Sequence, residues 1–78
     1  MKIFCEIQLF DAHQIIKNAE TREVVAVTEL PKLGKALAAI CNETDTVLLA
    51  GQLEIIENVI KQAKEINENI RIEVIKNV

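Results

Sequence analysis

The amino-acid sequence predicts a single α/β (α+β) domain over residues 1–78, with elements in the order β-β-β-α-β-α-β. Three observations predict it. Apolar and polar residues alternate near the start of the chain, as in a strand with one buried face. Two later stretches repeat apolar residues with the 3.6-residue period of a helix. Between them, the short apolar run from Thr46 to Ala50 is typical of a central parallel strand.

Three strands are expected in the first part of the chain. The alternation over residues 2–10 predicts the first strand, whose apolar side consists of Ile3, Cys5, Ile7 and Leu9. Residues 13–17 predict a short second strand between two turn-like segments. Residues 22–28 contain a continuous run of small and β-branched residues, which predicts a third strand that is covered on both sides.

Two helices and two more strands are expected in the rest of the chain. Pro31 suits the first turn of a helix that runs to Cys41. Its apolar stripe consists of Leu33, Ala36, Leu37, Ile40 and Cys41, and Gly34 and Lys35 fall outside that stripe. After the strand at residues 46–50, residues 52–67 predict the more strongly amphipathic helix. Alternation over residues 70–75 then predicts a half-exposed final strand.

The order of these elements predicts a mixed sheet with both helices on one face. Each strand-helix-strand unit crosses over right-handed, so two crossovers that progress in one direction place their helices on the same side. The other face is then bare. It is expected to carry Phe4, Glu6, Gln8, Phe10, Arg71, Glu73 and Ile75. Either Leu48 and Ala50 or Val47 and Leu49 join them, because the sequence leaves the register of that strand open.

Composition argues against several classes of protein. The net charge is −3, the pI is about 5.1 and no three basic residues cluster, so nucleic-acid binding is not expected. No apolar run reaches the length of a membrane span, and the early charge at Lys2 is unlike a signal peptide. The apolar positions of Cys5 and Cys41 predict buried, reduced thiols and therefore a cytoplasmic protein.

The order of elements resembles the core of the ribonuclease H-like fold, in which a three-stranded meander precedes two βα units. Enzymes of that fold place metal-binding carboxylates in the first strand, in the first helix and after the fourth strand. Glu6 matches the first position, but residues 31–41 contain no acid and the fourth strand is followed by Gly51 and Gln52. The departure removes the convergent carboxylates that two-metal catalysis requires. In general appearance the chain is also similar to small uncharacterised proteins of bacteria and their phages.

Two ligand-binding alternatives follow from the same pattern. In open α/β sheets, ligands bind at the carboxyl ends of the parallel strands, where Gln8 to Asp11, Thr28, Gly51 and Gln52 are expected to converge. Gly51, Gln52 and Asp11 are the candidate ligand-binding residues there, although a single glycine is far from a phosphate-binding loop. An enzyme would have to use Glu6, Asp11 and His13. No catalytic motif, metal site or cofactor site is recognised.

The preferred hypothesis is a non-catalytic module that self-associates or binds another protein through the bare sheet face. Phe4 and Phe10 make that face a patch that favours a partner. A short chain also completes its core readily by oligomerising. The final strand offers a second route by adding to the sheet of a partner, although Arg71, Glu73 and Lys76 would oppose promiscuous pairing there.

Overall fold

The computed structural model describes residues 1–77 and contains the seven expected elements in the expected order. The meander consists of β1 (Lys2–Glu6), β2 (His13–Asn18) and β3 (Val24–Glu29). A 3₁₀ turn at Leu30–Lys32 leads into α1 (Leu33–Ile40). Then follow β4 (Thr46–Gly51), α2 (Leu53–Ile66) and β5 (Arg71–Asn77). The α/β class and the element order are confirmed, and the described residues share one hydrophobic core.

The five strands form one mixed sheet in the order β3-β2-β1-β4-β5. The meander is antiparallel, whereas β4 pairs in parallel with both β1 and β5. The connections β3-α1-β4 and β4-α2-β5 both progress toward the β5 edge of the sheet. Both helices therefore lie on the same side, as expected of right-handed crossovers. Both helices pack against each other and against that side.

The hydrophobic core lies between the sheet and the two helices. The central strands β1 and β4 contribute alternate residues that are fully buried, as period-two patterning requires. The helices close the core with their apolar stripes. The buried members are Ile3, Cys5, Ile7, Ile16, Leu33, Leu37, Ala38, Cys41, Val47, Leu49, Ile56, Val59, Ala63 and Ile70.

The first strand is shorter than predicted, because it ends at Glu6 and not at residue 10. Ile7 continues the ladder with a single hydrogen bond to the carbonyl of Ala50 at 2.8 Å. At Gln8, the buried side chain of Gln14 replaces a neighbouring strand as the hydrogen-bond partner of the backbone. It accepts from the N–H of Gln8 at 2.8 Å and donates to the carbonyl of Gln8 at 2.7 Å. Residues 7–12 form a loop as a result, and Phe10 is fully exposed in it.

The prediction that the third strand is covered on both sides is wrong. β3 lies at the edge of the sheet and pairs only with β2. Val24 and Val27 are 57% and 54% exposed, and Val25 is also exposed. Only Ala26 and Thr28 are partly buried, since they share the helix-covered face with Ile16 and Gln14. A β-branched run indicates a strand, but its composition does not distinguish a central strand from an edge strand.

The expectation that Gly34 lies outside the packed stripe of the first helix is also wrong. Gly34 is buried against α2, and its N–H donates to Oε1 of Gln62 at 2.8 Å. The Gln62 amide in turn donates to the carbonyl of Pro31 at 2.8 Å. Gln62 thus satisfies backbone groups at the start of α1, whose N-cap residue Lys32 provides no side-chain hydrogen bond.

The loop before β4 is organised by the buried carboxylate of Asp45. One oxygen accepts from the N–H of Asn42 at 2.9 Å, and the other accepts from the amino group of Met1 at 3.0 Å. The hydrogen bond from Asn42, followed by the contact with that amino group, lowers the pKa of Asp45. Asp45 therefore remains ionised where it joins the first residue of the chain to the loop.

Both cysteines are buried and free, as predicted. Burial is the main cause that raises the pKa of each thiol to about 11, with Glu6 adding to the effect at Cys5 and Asp45 at Cys41. Thiols of this kind act as small core side chains. Within residues 1–77, neither helix has the length and apolar character that crossing a membrane requires.

Candidate protein-binding face

The sheet face opposite the helices is not covered by any element among residues 1–77. We call it the open face. The strand register places Val24, Lys17, Phe4, Leu48 and Glu73 in one line across all five strands of this face. Because side chains alternate along a strand, the residues two positions away in β1, β2 and β4 also belong to it. In β3 and β5 a register shift adds one residue, so the next position on the open face is three residues away.

A second line of side chains runs beside the first on the open face. It consists of Val27, Ile15, Glu6, Ala50 and Lys76. Ile15, Val24 and Val27 are exposed, and Phe4 and Leu48 are partly exposed. Aliphatic and aromatic side chains therefore occur together on a surface that also carries isolated charges, which is typical of an interaction site.

Two shallow grooves cross the open face and share Phe4 and Lys17 in their walls. The first, of about 170 Å³, lies over β1 and β2 and is lined by Phe4, Glu6, Gln8, Asp11, His13, Ile15 and Lys17. The second, of about 330 Å³, lies at the β2–β3 turn. We call it the turn groove. Its lining consists of Phe4, Lys17, Asn18, Ala19, Arg22 and Leu48.

The β2–β3 turn that closes the turn groove is held by its own hydrogen bonds. The side-chain oxygen of Asn18 accepts from the N–H groups of Glu20 and Thr21 at 2.9 and 3.1 Å. The carbonyl of Asn18 accepts from the N–H of Arg22 at 2.8 Å. Arg22 has a φ of 65°, in the left-handed region that favours glycine or asparagine. A strained arginine is thus held in a fixed turn at the edge of the groove.

The residues predicted for the interface occupy two different places. Phe4, Glu6 and Glu73 lie on the open face, and Arg71 lies on it next to Thr46. Gln8 and Phe10 are beyond the end of β1, so they lie in the following loop and not on the strand. Gln8 still lines the first groove. The sequence did not decide which residues of β4 lie on this face. The structure places Leu48 and Ala50 there, because Leu48 lies beside Phe4 and Ala50 beside Glu6.

The sequence-based prediction of the open face included no side chain of β2 or β3. Ile15, Lys17, Val24 and Val27 belong to it because β2 and β3 pair in a defined register. The alternation of Ile15 and Lys17 with the buried Gln14 and Ile16 was the available signal, but a buried glutamine breaks the usual polar–apolar pattern. No feature of the sequence indicated that Arg22 lines this face, because its position depends on the conformation of the β2–β3 turn.

The crevice at the carboxyl ends of the parallel strands holds only part of the predicted ligand-binding set. A groove of about 220 Å³ there is lined by Gln8, Phe10, Gly51 and Gln52 among others. Asp11 lines the first groove of the open face instead, and Thr28 lies in the edge strand β3.

The local geometry at position 51 explains why a glycine occurs there. Its φ is 145°, and a Cβ atom there would lie 3.1 Å from the Cβ of Ile7. The glycine therefore permits close contact between the end of β4 and the start of the 7–12 loop.

The structure brings together Glu6, Asp11 and His13, the residues that a catalytic role would require. All three line the first groove and all three are exposed. None of their side chains is hydrogen-bonded to another residue of the described chain. Residues 1–77 also contain no group of three potential metal ligands.

Comparison of the chain with protein-family models, with curated proteins and with solved structures gives no match. The resemblance to the ribonuclease H-like fold thus stays a prediction that rests on the order of the elements. The geometry of the open face is the basis on which a function is proposed.

Proposed function

We propose that this protein is a non-catalytic interaction module that binds protein, either a second copy or another chain, through its open face. The observation that carries the proposal is the line Val24, Lys17, Phe4, Leu48 and Glu73, which exposes apolar side chains across a sheet face without a covering element. Sheets built of parallel strands normally have both faces covered, and β1, β4 and β5 of this sheet are parallel to one another. A partner on the open face completes that arrangement.

The balance of apolar and charged groups supports a protein partner. The apolar side chains provide area whose burial is favourable at roughly 25 cal/mol per Å². The charges set between them, such as Lys17 and Glu73, limit nonspecific association and give orientation to a specific partner. Two buried free thiols agree with a protein that acts in the reducing cytoplasm.

Ligand binding at the crevice near Gly51 is the second candidate. The carboxyl ends of β1, β4 and β5 meet there, as in open α/β sheets that bind small molecules. Its volume of about 220 Å³ lies below the roughly 300–1,000 Å³ of usual ligand pockets. The close contact between Gly51 and Ile7 already accounts for the glycine. These observations favour the open face over the crevice.

The test of the proposed function is native mass spectrometry of the protein purified from its natural host. We expect a mass above that of the monomer, from a second copy or from a bound protein. The double variant Phe4→Ser, Val27→Ser should reduce it to the monomer mass. Ile66→Ser removes an exposed apolar side chain from α2 and serves as the matched control, which should leave the assembly intact.

Two results would contradict the proposal. A wild-type protein that is monomeric at all concentrations and carries no bound protein would exclude the interaction module. A monomer that carries a small-molecule adduct would support the crevice instead. In that case Gln52→Glu should remove the ligand. This variant is preferred to a substitution of Gly51, because every side chain at position 51 strains the backbone.

A further inference from the structure

We infer that the turn groove binds a segment of another protein in which a carboxylate stands next to an apolar side chain. This inference rests on the proposed function and specifies the partner of the same face. It follows from the chemistry of the groove walls, from the strain at Arg22 and from the size of the open face.

The walls of the turn groove combine an apolar floor with two cations. Phe4 and Leu48 lie side by side on the floor, and Lys17 and Arg22 line the same groove. No carboxylate belongs to the lining, and within the described part of the chain neither cation forms an ion pair. The protein as a whole has a net charge of −3, so this local surplus of positive charge differs from its surroundings. An anionic and apolar segment complements it.

The conformation of Arg22 provides the second argument. A residue with a side chain at a φ of 65° costs roughly 1–2 kcal/mol compared with the right-handed region. The turn itself is stabilised by Asn18 and would accept glycine at the position of Arg22 without that cost. Backbone strain of this kind is concentrated at binding sites, where the side chain has a task. Here the task is to hold a guanidinium, which binds carboxylates in a bidentate manner, at the end of the groove.

The size and charge of the open face favour a narrow segment over a second copy. Five strands about 4.8 Å apart, each taken as about five residues long at about 3.3 Å per residue, cover a flat area of roughly 400 Å². A standard interface takes about 800 Å² from each partner. A symmetric dimer would also place the same patch against itself. That patch contains five basic residues (Lys2, Lys17, Arg22, Arg71 and Lys76) and four acidic ones (Glu6, Asp11, Glu29 and Glu73), and the turn groove holds two of the basic residues and none of the acidic ones.

The experiment is a selection of binders from a random 12-residue peptide library displayed on phage, with the purified protein immobilised. We expect enriched peptides to contain Asp or Glu within two positions of Leu, Ile, Val or Phe. Binding of a selected synthetic peptide is then measured by isothermal titration calorimetry. Arg22→Gln and Lys17→Gln should each weaken binding about tenfold, the loss typical of one charged hydrogen bond.

Matched variants separate the charge of the groove from general effects. Lys35→Gln makes the same change of charge on an exposed position of α1 and should leave the affinity unchanged. Arg22→Gly removes both the guanidinium and the backbone strain. It should weaken peptide binding while raising the stability of the fold, so a loss of binding there cannot be explained by unfolding.

Three outcomes would overturn the inference. The first is a selection that enriches no peptides, or peptides without an acid. The second is a homodimer that dissociates on Arg22→Gln, which would make the second copy the occupant. The third is tighter binding of a 12-residue oligothymidylate than of any peptide, with loss of that binding on Arg22→Gln. If Phe4→Ser, Val27→Ser dissolves an assembly but the peptides show no acid preference, only this inference fails and the proposed function stands.

Discussion

Replacing Gly34 with alanine is the most direct test of how the two helices are joined. In an isolated helix this substitution is favourable, because alanine has a higher helix propensity than glycine. In this protein the added Cβ would lie 2.5 Å from Oε1 and 2.7 Å from Cβ of Gln62, and 2.8 Å from the backbone oxygen of Val59. Because one of these neighbours is backbone, a change of the Gln62 rotamer cannot remove the clash. We therefore expect α1 to move away from α2.

The expected loss of stability can be worked from these contacts. Overpacking in a well-packed region costs roughly 1–3 kcal/mol. Displacing Gln62 also breaks its hydrogen bonds to Gly34 and Pro31, which contribute about 1 kcal/mol each. Higher helix propensity offsets about 1 kcal/mol of this. The free energy of unfolding should fall by about 2–4 kcal/mol, a large part of the roughly 4–12 kcal/mol expected for a domain of this length.

The assay is urea unfolding followed by far-ultraviolet circular dichroism, since the chain has no Trp or Tyr for fluorescence. With a slope of about 1–1.5 kcal/mol per molar urea, the midpoint should fall by about 2 M. Ala39→Gly, at an exposed position of α1, measures propensity alone and should cost about 1 kcal/mol. In the background of Gln62→Ala, Gly34→Ala should cost less than in the wild type. A Gly34→Ala variant more stable than the wild type would refute the reasoning.

Three further predictions concern other positions. Because the pKa of Asp45 is lowered in the folded protein, its carboxylate contributes stability above the usual aspartate pKa of 3.8, and this contribution is lost as the pH falls below that value. Asp45→Asn should therefore destabilise the protein at about pH 7 but much less at about pH 3. Urea midpoints at the two pH values measure the difference. Cys5 and Cys41, with thiol pKa values of about 11, should react with a disulfide reagent at neutral pH far more slowly in the folded protein than in urea; equal rates would exclude their burial. Gly51→Ala should lower the urea midpoint, because alanine is strained at a φ of 145° and its Cβ would crowd Ile7 at the start of the 7–12 loop; an unchanged midpoint would show that this contact adjusts freely.

Local periodicity in the sequence was enough to predict the elements and their order. The alternation of Ile3 and Cys5 with polar neighbours and the helical spacing over residues 53–66 are properties of short segments, so they appear in the sequence directly. The right-handedness of crossovers then predicted that both helices lie on one face. The presence of an open face, with Phe4 and Glu73 on it, followed from the sequence in this way.

Tertiary structure decided the features that join distant parts of the chain. Gln14 ends β1 early by binding Gln8, and Gln62 holds Gly34 from 28 residues away, although neither glutamine stands out in a pattern of apolar residues. The turn groove likewise depends on the register that sets Phe4 beside both Lys17 and Leu48. A sequence determines its local periods by the order of its side chains, but hydrogen bonds and registers between segments are selected only when the whole core packs.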